Sequence, residues 1–428
     1  MNIALVTALV VFFTLSVPVA VSIALAAIFG ISLFSNLPLL IVPQKMFNSL
    51  DSFPLLAIPF FILAGNIMTY GGVSRRLVDF AKGMVGGIQG GLASSCVITC
   101  MIFAAISGSS VATTFAVGAI LIPAMVKHNY PKPVAATIQA ASAELGVIIP
   151  PSIPMILYAV ATETSVTELF IAGIGPGILI AVSLLIMVQI WCRVKGYGKE
   201  DGANREPFLK VTLNAFWALM LPVIIIGGIY GGVFTPTEAA AVSAVYALCV
   251  GLFAYRELNI SDLPAILRSS VISTGAVMLI IAAAGLFSFL ISLSGLPRLI
   301  GGWAEGSFDS WITFFIFVNL LLFVVGMFVE TSAAILVLAP ILAPVAIAYG
   351  IDPVHFGIVM IVNLAMGMIT PPLGVNLFAA ATVARLPVQA MFRPLIFPVA
   401  VIIVALMAIT YVPSISLFLR GFSAAAGG

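Results

Sequence analysis

The sequence predicts an all-α, multi-pass membrane protein built from two copies of one unit, and three observations carry that prediction. Hydrophobic residues make up 62% of the 428 positions and charged residues 7%, against about 25% charged in a soluble domain. Apolar stretches long enough to cross about 30 Å of hydrocarbon lie near residues 18–34, 53–70, 170–192, 216–232, 236–255, 274–294 and 394–413. Finally, residues 14–176 recur at one constant shift of 221. Pro150-Pro151 returns as Pro371-Pro372, Gly146 as Gly367, Pro123 as Pro344, Val21-Ser22 as Val242-Ser243 and Thr14 as Thr235. Gly72-x-x-Arg75 and Gly295-x-x-Arg298 keep the order at a shift of 223. Long repeats inside a membrane chain are a signature of secondary transporters.

Taken in order, residues 3–13 make a short first half-span before Pro18. Leu37–Leu50, with Pro38, Pro43 and Lys45, reads as an interfacial arm, and Ile260–Ser270, with Asp262 and Arg268, as its counterpart. Gly83, Gly87 and Gly91, with Gly86 and Gly90, predict small helix faces for close approach. Segments 88–106 and 111–126 are joined too closely for a loop outside the membrane. They predict a re-entrant hairpin with its tip at Ser107-Gly108-Ser109-Ser110. The second hairpin joins 311–327 to 333–348 around Phe328-Val329-Glu330-Thr331-Ser332. A broken helix and a closing span follow each hairpin, and an odd number of spans per repeat inverts the second copy.

Composition also excludes function classes. The longest polar interval, Arg193–Lys210, is too short for a nucleotide-binding fold, and Gly198-Lys199-Glu200 lacks the hydroxyl and earlier glycine of a phosphate-binding loop. ATP is therefore not the expected fuel. A net charge of +2 gives no basis for nucleic-acid binding. No nucleophile with an obvious base and no His-Glu-x-x-His is found, so no enzyme is expected. Cys96, Cys100, Cys192 and Cys249 read as small buried hydrophobes, and His128 and His355 as exposed loop histidines. No basic segment precedes the first apolar run, so no cleavable signal peptide is expected. The positive-inside bias orients the chain with 193–210 in the cytoplasm, which leaves only Lys45, Arg298 and Arg420 of the 17 Lys and Arg outside.

The chemistry concentrates at the two double prolines. Proline lacks a backbone N–H and pushes its predecessor out of the α region, so the helices should unwind at Ile149 and Thr370. Freed carbonyls at membrane depth must be met by protein, water or an ion. A hard cation such as Na⁺ suits them, and each hairpin tip supplies hydroxyls. Ser107, Ser109 and Ser110 are thus expected to join carbonyls around Gly146, Ile149 and Pro151. Thr331 and Ser332 are expected to join Gly367, Thr370 and Pro372, giving two or more Na⁺ ions. The alternative is an ordinary kink with its carbonyls met by neighbouring Ser or Thr. Glu144 and Glu330 are candidate cavity acids, alternatively hydrogen-bonded structural ones, with Gln139, Ser142, Asn363 and Asn376 as further cavity candidates. Thr235-Pro236-Thr237-Glu238 reads as a capping box. No Lys or Arg occurs within 88–126, 133–192 or 299–384. The expected cavity therefore holds an anion by half-helix ends, hydroxyls and bound Na⁺.

The segment Gly232-Val233-Phe234-Thr235-Pro236-Thr237-Glu238-Ala239-Ala240-Ala241, the Ser107–Ser110 tip and both Pro-Pro breaks resemble the large membrane (M) subunit of tripartite ATP-independent periplasmic (TRAP) transporters. The resemblance covers nearly the whole chain and is greatest to the sialic-acid type. It implies an elevator-type transporter, a small membrane subunit (Q type), a periplasmic substrate-binding protein (P type), and Na⁺-coupled import of a carboxylated solute, of sialic acid or C4-dicarboxylate class, across the bacterial inner membrane. The implied division is scaffold at 1–83 and 211–304, transport domain at 84–192 and 305–428, and a cytoplasmic linker at 193–210. Lys45, Asp51, Glu163, Glu168, Arg298 and Asp352 are candidate outer-face docking charges. A stand-alone carboxylate carrier of similar repeat architecture is the alternative.

The orientation is testable with single cysteines at positions 199 and 164 in a cysteine-free background. In intact spheroplasts, a membrane-impermeant thiol reagent is expected to label only position 164; labelling of 199 alone inverts the topology.

Overall fold

The computed structural model describes residues 2–199 and 207–420, and among them every regular element is a helix. Nine helices of the described residues are long and apolar enough to cross a membrane, among them Val166–Lys195, Phe208–Tyr230 and Trp311–Phe328. Lys132–Ile148 and Ile153–Thr162 add a further span as one pair bent by 41°. The chain is an all-α polytopic membrane protein, as its composition requires.

The repeat is visible helix by helix. The second helix of the first hairpin, Ser110–Lys127, corresponds at both ends to Thr331–Ala348 at the shift of 221. Lys132 and Pro353, which begin the two broken helices, are related by the same shift. Val73–Val85 and Leu296–Ser307 begin 223 residues apart, each after a glycine in the left-handed region, Gly72 (φ 72°) and Gly295 (φ 67°). A side chain is disfavoured there, which is why both copies carry glycine.

The two copies interlock. Ser110–Lys127 packs on Val375–Ala384, the half-helix beyond the second break, and Thr331–Ala348 packs on Ile153–Thr162, the half-helix beyond the first. Each hairpin therefore touches its own broken helix through both arms and the other repeat through its second arm. The capping box forms as predicted: Thr235 N–H donates to Glu238 Oε2 at 2.8 Å and Glu238 N–H to Thr235 Oγ1 at 3.3 Å.

Several expectations are corrected. Ile41–Leu50 is a separate short helix with no buried residue, but its supposed counterpart is not an arm: Leu263–Leu293 runs as one helix of 31 residues. The glycine run is not one helix face, because Val73–Val85 ends at Gly86 and Gly91 opens the next helix after Gly90 at φ 78°. His355 is buried, with Nε2 3.2 Å from Thr410 O and Nδ1 3.4 Å from Ser416 Oγ, because Pro353–Met368 is enclosed on all sides from Val354 onward. His128, which ends Ser110–Lys127, is half-buried. Cys249 is exposed, whereas Cys96, Cys100 and Cys192 are buried. The expected linker begins inside the helix ending at Lys195 and ends inside the helix starting at Phe208, and its residues 200–206 lie outside the described residues.

Each break is closed by its hairpin. Ile149 is extended (φ −82°, ψ 130°), the helix before Thr370 ends at Met368, and Pro150-Pro151 and Pro371-Pro372 are both cis. Ile153 N–H donates to Gly108 O at 3.3 Å in the first copy; in the second, Gly374 N–H donates to Met327 O at 3.1 Å. Gly146 faces the tip so closely that a Cβ there would lie 2.7 Å from Ser109 O and 2.8 Å from Thr113 Oγ1. Gly146→Ala is therefore expected to destabilise the protein by about 1–3 kcal/mol, the usual cost of overpacking. Gly227→Ala, where a Cβ meets nothing within 4 Å, is the control. Thermal unfolding in detergent checks both, and an equal midpoint for the two variants contradicts the close approach.

Candidate functional site

A cavity of about 760 Å³ lies where both hairpin tips face the helices Ala57–Tyr70, Val73–Val85 and Leu263–Leu293. Ser107 to Ala112, Val147, Glu330 and Ser332 form one wall, and Asn66, Thr69, Ser74, Arg75, Ser273 and Val277 the other. Phe61, Phe103 and Phe115 line its apolar part. Two half-helices begin at the tips, which places their N–H groups toward the same space.

The first tip is a cluster of hydroxyls. Ser107 Oγ is 3.0 Å from Thr113 Oγ1, which donates to Ser109 O at 2.8 Å. Ser109 Oγ caps its helix by accepting from Ala112 N–H at 3.4 Å. Ser110 Oγ is buried with no hydrogen-bond partner. Pro151 has no N–H to offer Val147 O four residues earlier; Ser152 Oγ donates to that carbonyl at 2.6 Å instead. This is the kink satisfied by a neighbouring hydroxyl, realised for that one carbonyl. Thr113 and Ser152 are absent from the residues singled out in the sequence, and only the fold brings Thr113, six residues after Ser107, into the cluster.

The second tip is built differently. Glu330 caps its helix: Oε2 accepts from Ser332 N–H at 2.9 Å and Ala333 N–H at 3.3 Å, and Oε1 from Ser332 Oγ at 2.9 Å. Thr331 Oγ1 donates to Met368 Sδ at 2.8 Å, and Thr370 Oγ1 to Met366 O at 2.9 Å. Gly367 lies against the backbone of Gly326 and Met327, not against Thr331 or Ser332. Pro372 is exposed, while Pro151 is buried.

Of the six cavity candidates, Glu330 alone lines this cavity. The other five are buried, four of them in interhelical hydrogen bonds and Ser142 in a bond within its own helix. Asn376 Nδ2 donates to Glu144 Oε1 at 2.7 Å and to Ala140 O at 3.1 Å, and Asn376 Oδ1 accepts from Thr114 Oγ1 at 2.5 Å. Gln139 bonds Cys96 Sγ and Cys100 Sγ at 3.0 and 3.5 Å, Ser142 Oγ donates to Ile138 O, and Asn363 Nδ2 donates to Asn319 Oδ1 at 2.8 Å. Glu144 Oε2 and Asn363 Oδ1 have no hydrogen-bond partner.

Two electrostatic expectations change. The cavity is not without a cation: Arg75 lines it, contributed by Val73–Val85, a helix outside the stretches searched for Lys and Arg. On the other face, Glu168 and Asp352 are not free, because Arg420 pairs with both, at 2.8 and 2.7 Å. Lys45 Nζ lies 4.3 Å from the centre of the Phe289 ring. No group of His, Cys, Asp and Glu suited to a metal ion exists among the described residues.

Comparison with known proteins agrees with this architecture. Residues 6–415 match the family described as the tripartite ATP-independent periplasmic transporter, DctM component. The C4-dicarboxylate TRAP transporter large permease protein of Pseudomonas aeruginosa is 46% identical, over 93% of each chain. The sialic acid large permease protein of Vibrio cholerae is 37% identical, over 92% of each, so the expected preference for the sialic-acid type is not supported. The YdaH transporter of Alcanivorax borkumensis shares the fold, with a TM-score of 0.65 at 13% identity over 86% of each chain. With a match along nearly its full length and relatives this similar, the chain belongs to the DctM component family of tripartite ATP-independent periplasmic transporters.

Proposed function

We propose that the chain is the large membrane subunit of a Na⁺-coupled importer of a carboxylated solute in a bacterial inner membrane. The observation that carries this reading is the cavity walled on one side by both hairpin tips and on the other by helices of neither hairpin. Such a cavity lies where a transport domain slides against a scaffold in an elevator mechanism. Its Arg75 and Glu257 side is the one that the Lys and Arg bias puts in the cytoplasm, so the cavity is read as cytoplasm-facing. The C4-dicarboxylate relatives favour a small dicarboxylate over sialic acid as solute. Family membership supports a small membrane subunit and a periplasmic binding protein as partners.

Na⁺ is read as the coupling ion because the first tip and break offer uncharged hydroxyl and carbonyl oxygens, the donor set of a hard monovalent ion, and the second tip adds hydroxyls beside the Glu330 carboxylate. The first site draws on Ser107, Ser109, Ser110 and the carbonyls around Gly146, Ile149 and Pro151. Thr113 joins them through its contact with Ser107. The second draws on Thr331, Ser332 and the carbonyls around Gly367, Thr370 and Pro372. Ser110 Oγ, buried without a hydrogen-bond partner, supports the first site, because a buried hydroxyl left unsatisfied costs about 1–3 kcal/mol unless a ligand meets it.

Ser110→Ala and Thr370→Ala are each expected to raise the Na⁺ concentration for half-maximal uptake in proteoliposomes. Unchanged Na⁺ dependence in both, at normal protein levels, removes the ion assignment. Uptake under an inward Na⁺ gradient is further expected to require the binding protein. Robust entry of free solute without it points instead to a stand-alone carboxylate carrier.

A further inference from the structure

The cavity wall away from the hairpins carries one unneutralised positive charge. Arg75 and Arg76 are adjacent, yet their surroundings differ. Arg76 Nη2 pairs with Glu257 Oε1 at 2.8 Å, its Nη1 donates to Gly72 O at 3.0 Å, and its guanidinium lies 3.7 Å from the centre of the Tyr255 ring. Arg75 has no ion pair and no hydrogen bond among the described residues, and it is exposed where it lines the cavity. Two further polar groups of the same walls are unsatisfied: Ser74 Oγ, next to Arg75, and Ser110 Oγ on the opposite hairpin tip. An exposed, unpaired guanidinium thus borders this space, and two unpartnered hydroxyls lie buried within its walls, one on either side.

We infer that Arg75 binds a carboxylate group of the transported solute in the state in which this cavity faces the cytoplasm. A guanidinium presents a planar fork of donors that matches both oxygens of a carboxylate with two parallel hydrogen bonds. The carboxylates already in the wall favour Arg75 for this task. Glu257 is held by Arg76, and Glu330 is held by the N–H groups of its own helix. The assignment rests on the transporter reading above and adds a sidedness to it. Arg75 stands on Val73–Val85, apart from the hairpin that carries Ser110. If the hairpins move relative to that helix, Arg75 and the hairpin tips border one cavity in one position only. Arg75 then sets the affinity on the cytoplasmic face, which governs solute release.

The test uses membrane vesicles carrying the complete transporter, right-side-out and inside-out, with radiolabelled succinate as the probe. Initial Na⁺-dependent rates give a half-saturating concentration for each face. Arg75→Gln is expected to raise the cytoplasmic value relative to the outer one by about tenfold, the scale of one lost charged hydrogen bond. Arg75→Lys, which keeps the charge, is expected to recover most of that ratio and guards against a folding defect. An unchanged ratio in Arg75→Gln overturns the assignment, and so does an equal rise on both faces. Wild-type vesicles that carry neither succinate nor N-acetylneuraminate from either face overturn the transporter reading itself, whereas transport with an unaltered ratio overturns only the role of Arg75.

Discussion

The structure turns on backbone carbonyls that double prolines leave without N–H partners inside an apolar bundle. Pro150 and Pro151 remove the donors for Gly146 O and Val147 O, and Pro371 and Pro372 those for Gly367 O and Met368 O. Water cannot reach such groups through hydrocarbon, so protein must be brought to them. Local groups meet two of them, Ser152 Oγ at Val147 O and Thr370 N–H at Gly367 O, and each hairpin tip lies on its break, where Ile153 N–H donates to Gly108 O in one copy and Gly374 N–H to Met327 O in the other. Glycine at 146 and 367 is what lets backbone approach backbone at these points. The same need accounts for the interlocked arrangement, since a hairpin seated on a break in the middle of the bundle has its outer arm against the other repeat.

Duplication fixes the frame, while single residues make the two halves unequal. Ser152 meets Val147 O, but the residue 221 positions later is Leu373, which is exposed and has no hydroxyl. The second break instead uses Thr370 on Met366 O and the thioether of Met368 on Thr331. Asn376 ties the flank of the second break to Glu144 before the first, and its counterpart, Met155, can make no such bond. The first tip and break are buried and rich in hydroxyls; the second are partly exposed and carry the helix-capping carboxylate of Glu330.

Charge placement shows a different kind of dependence. The sequence stretches that hold the hairpins and breaks contain no Lys or Arg, yet the cavity has an arginine, because one wall comes from helices outside those stretches. In the same way Glu168, Asp352 and Arg420, separated by up to 252 residues, form one ion-paired group. Neither result could be read from local spacing, since both depend on which helices become neighbours.

The sequence by itself determined the membrane class, the duplication, both hairpins, both breaks and the capping box at Thr235. Those features arise from periodicity, from proline's missing donor and from local hydrogen bonds, all of which act within a few residues. Tertiary structure decided the rest. It buried His355 beneath Thr410 and left Cys249 exposed. It extended the supposed second arm into Leu263–Leu293, where no proline interrupts the helix after Pro264. It also moved Gln139, Glu144, Asn363 and Asn376 into hydrogen bonds between helices, buried Ser142 against its own helix and brought Arg75 to the cavity. In a chain this apolar nearly every helix has more than one face able to pack, so the sequence marks where helices begin and break, and only their mutual packing selects which polar side chains meet.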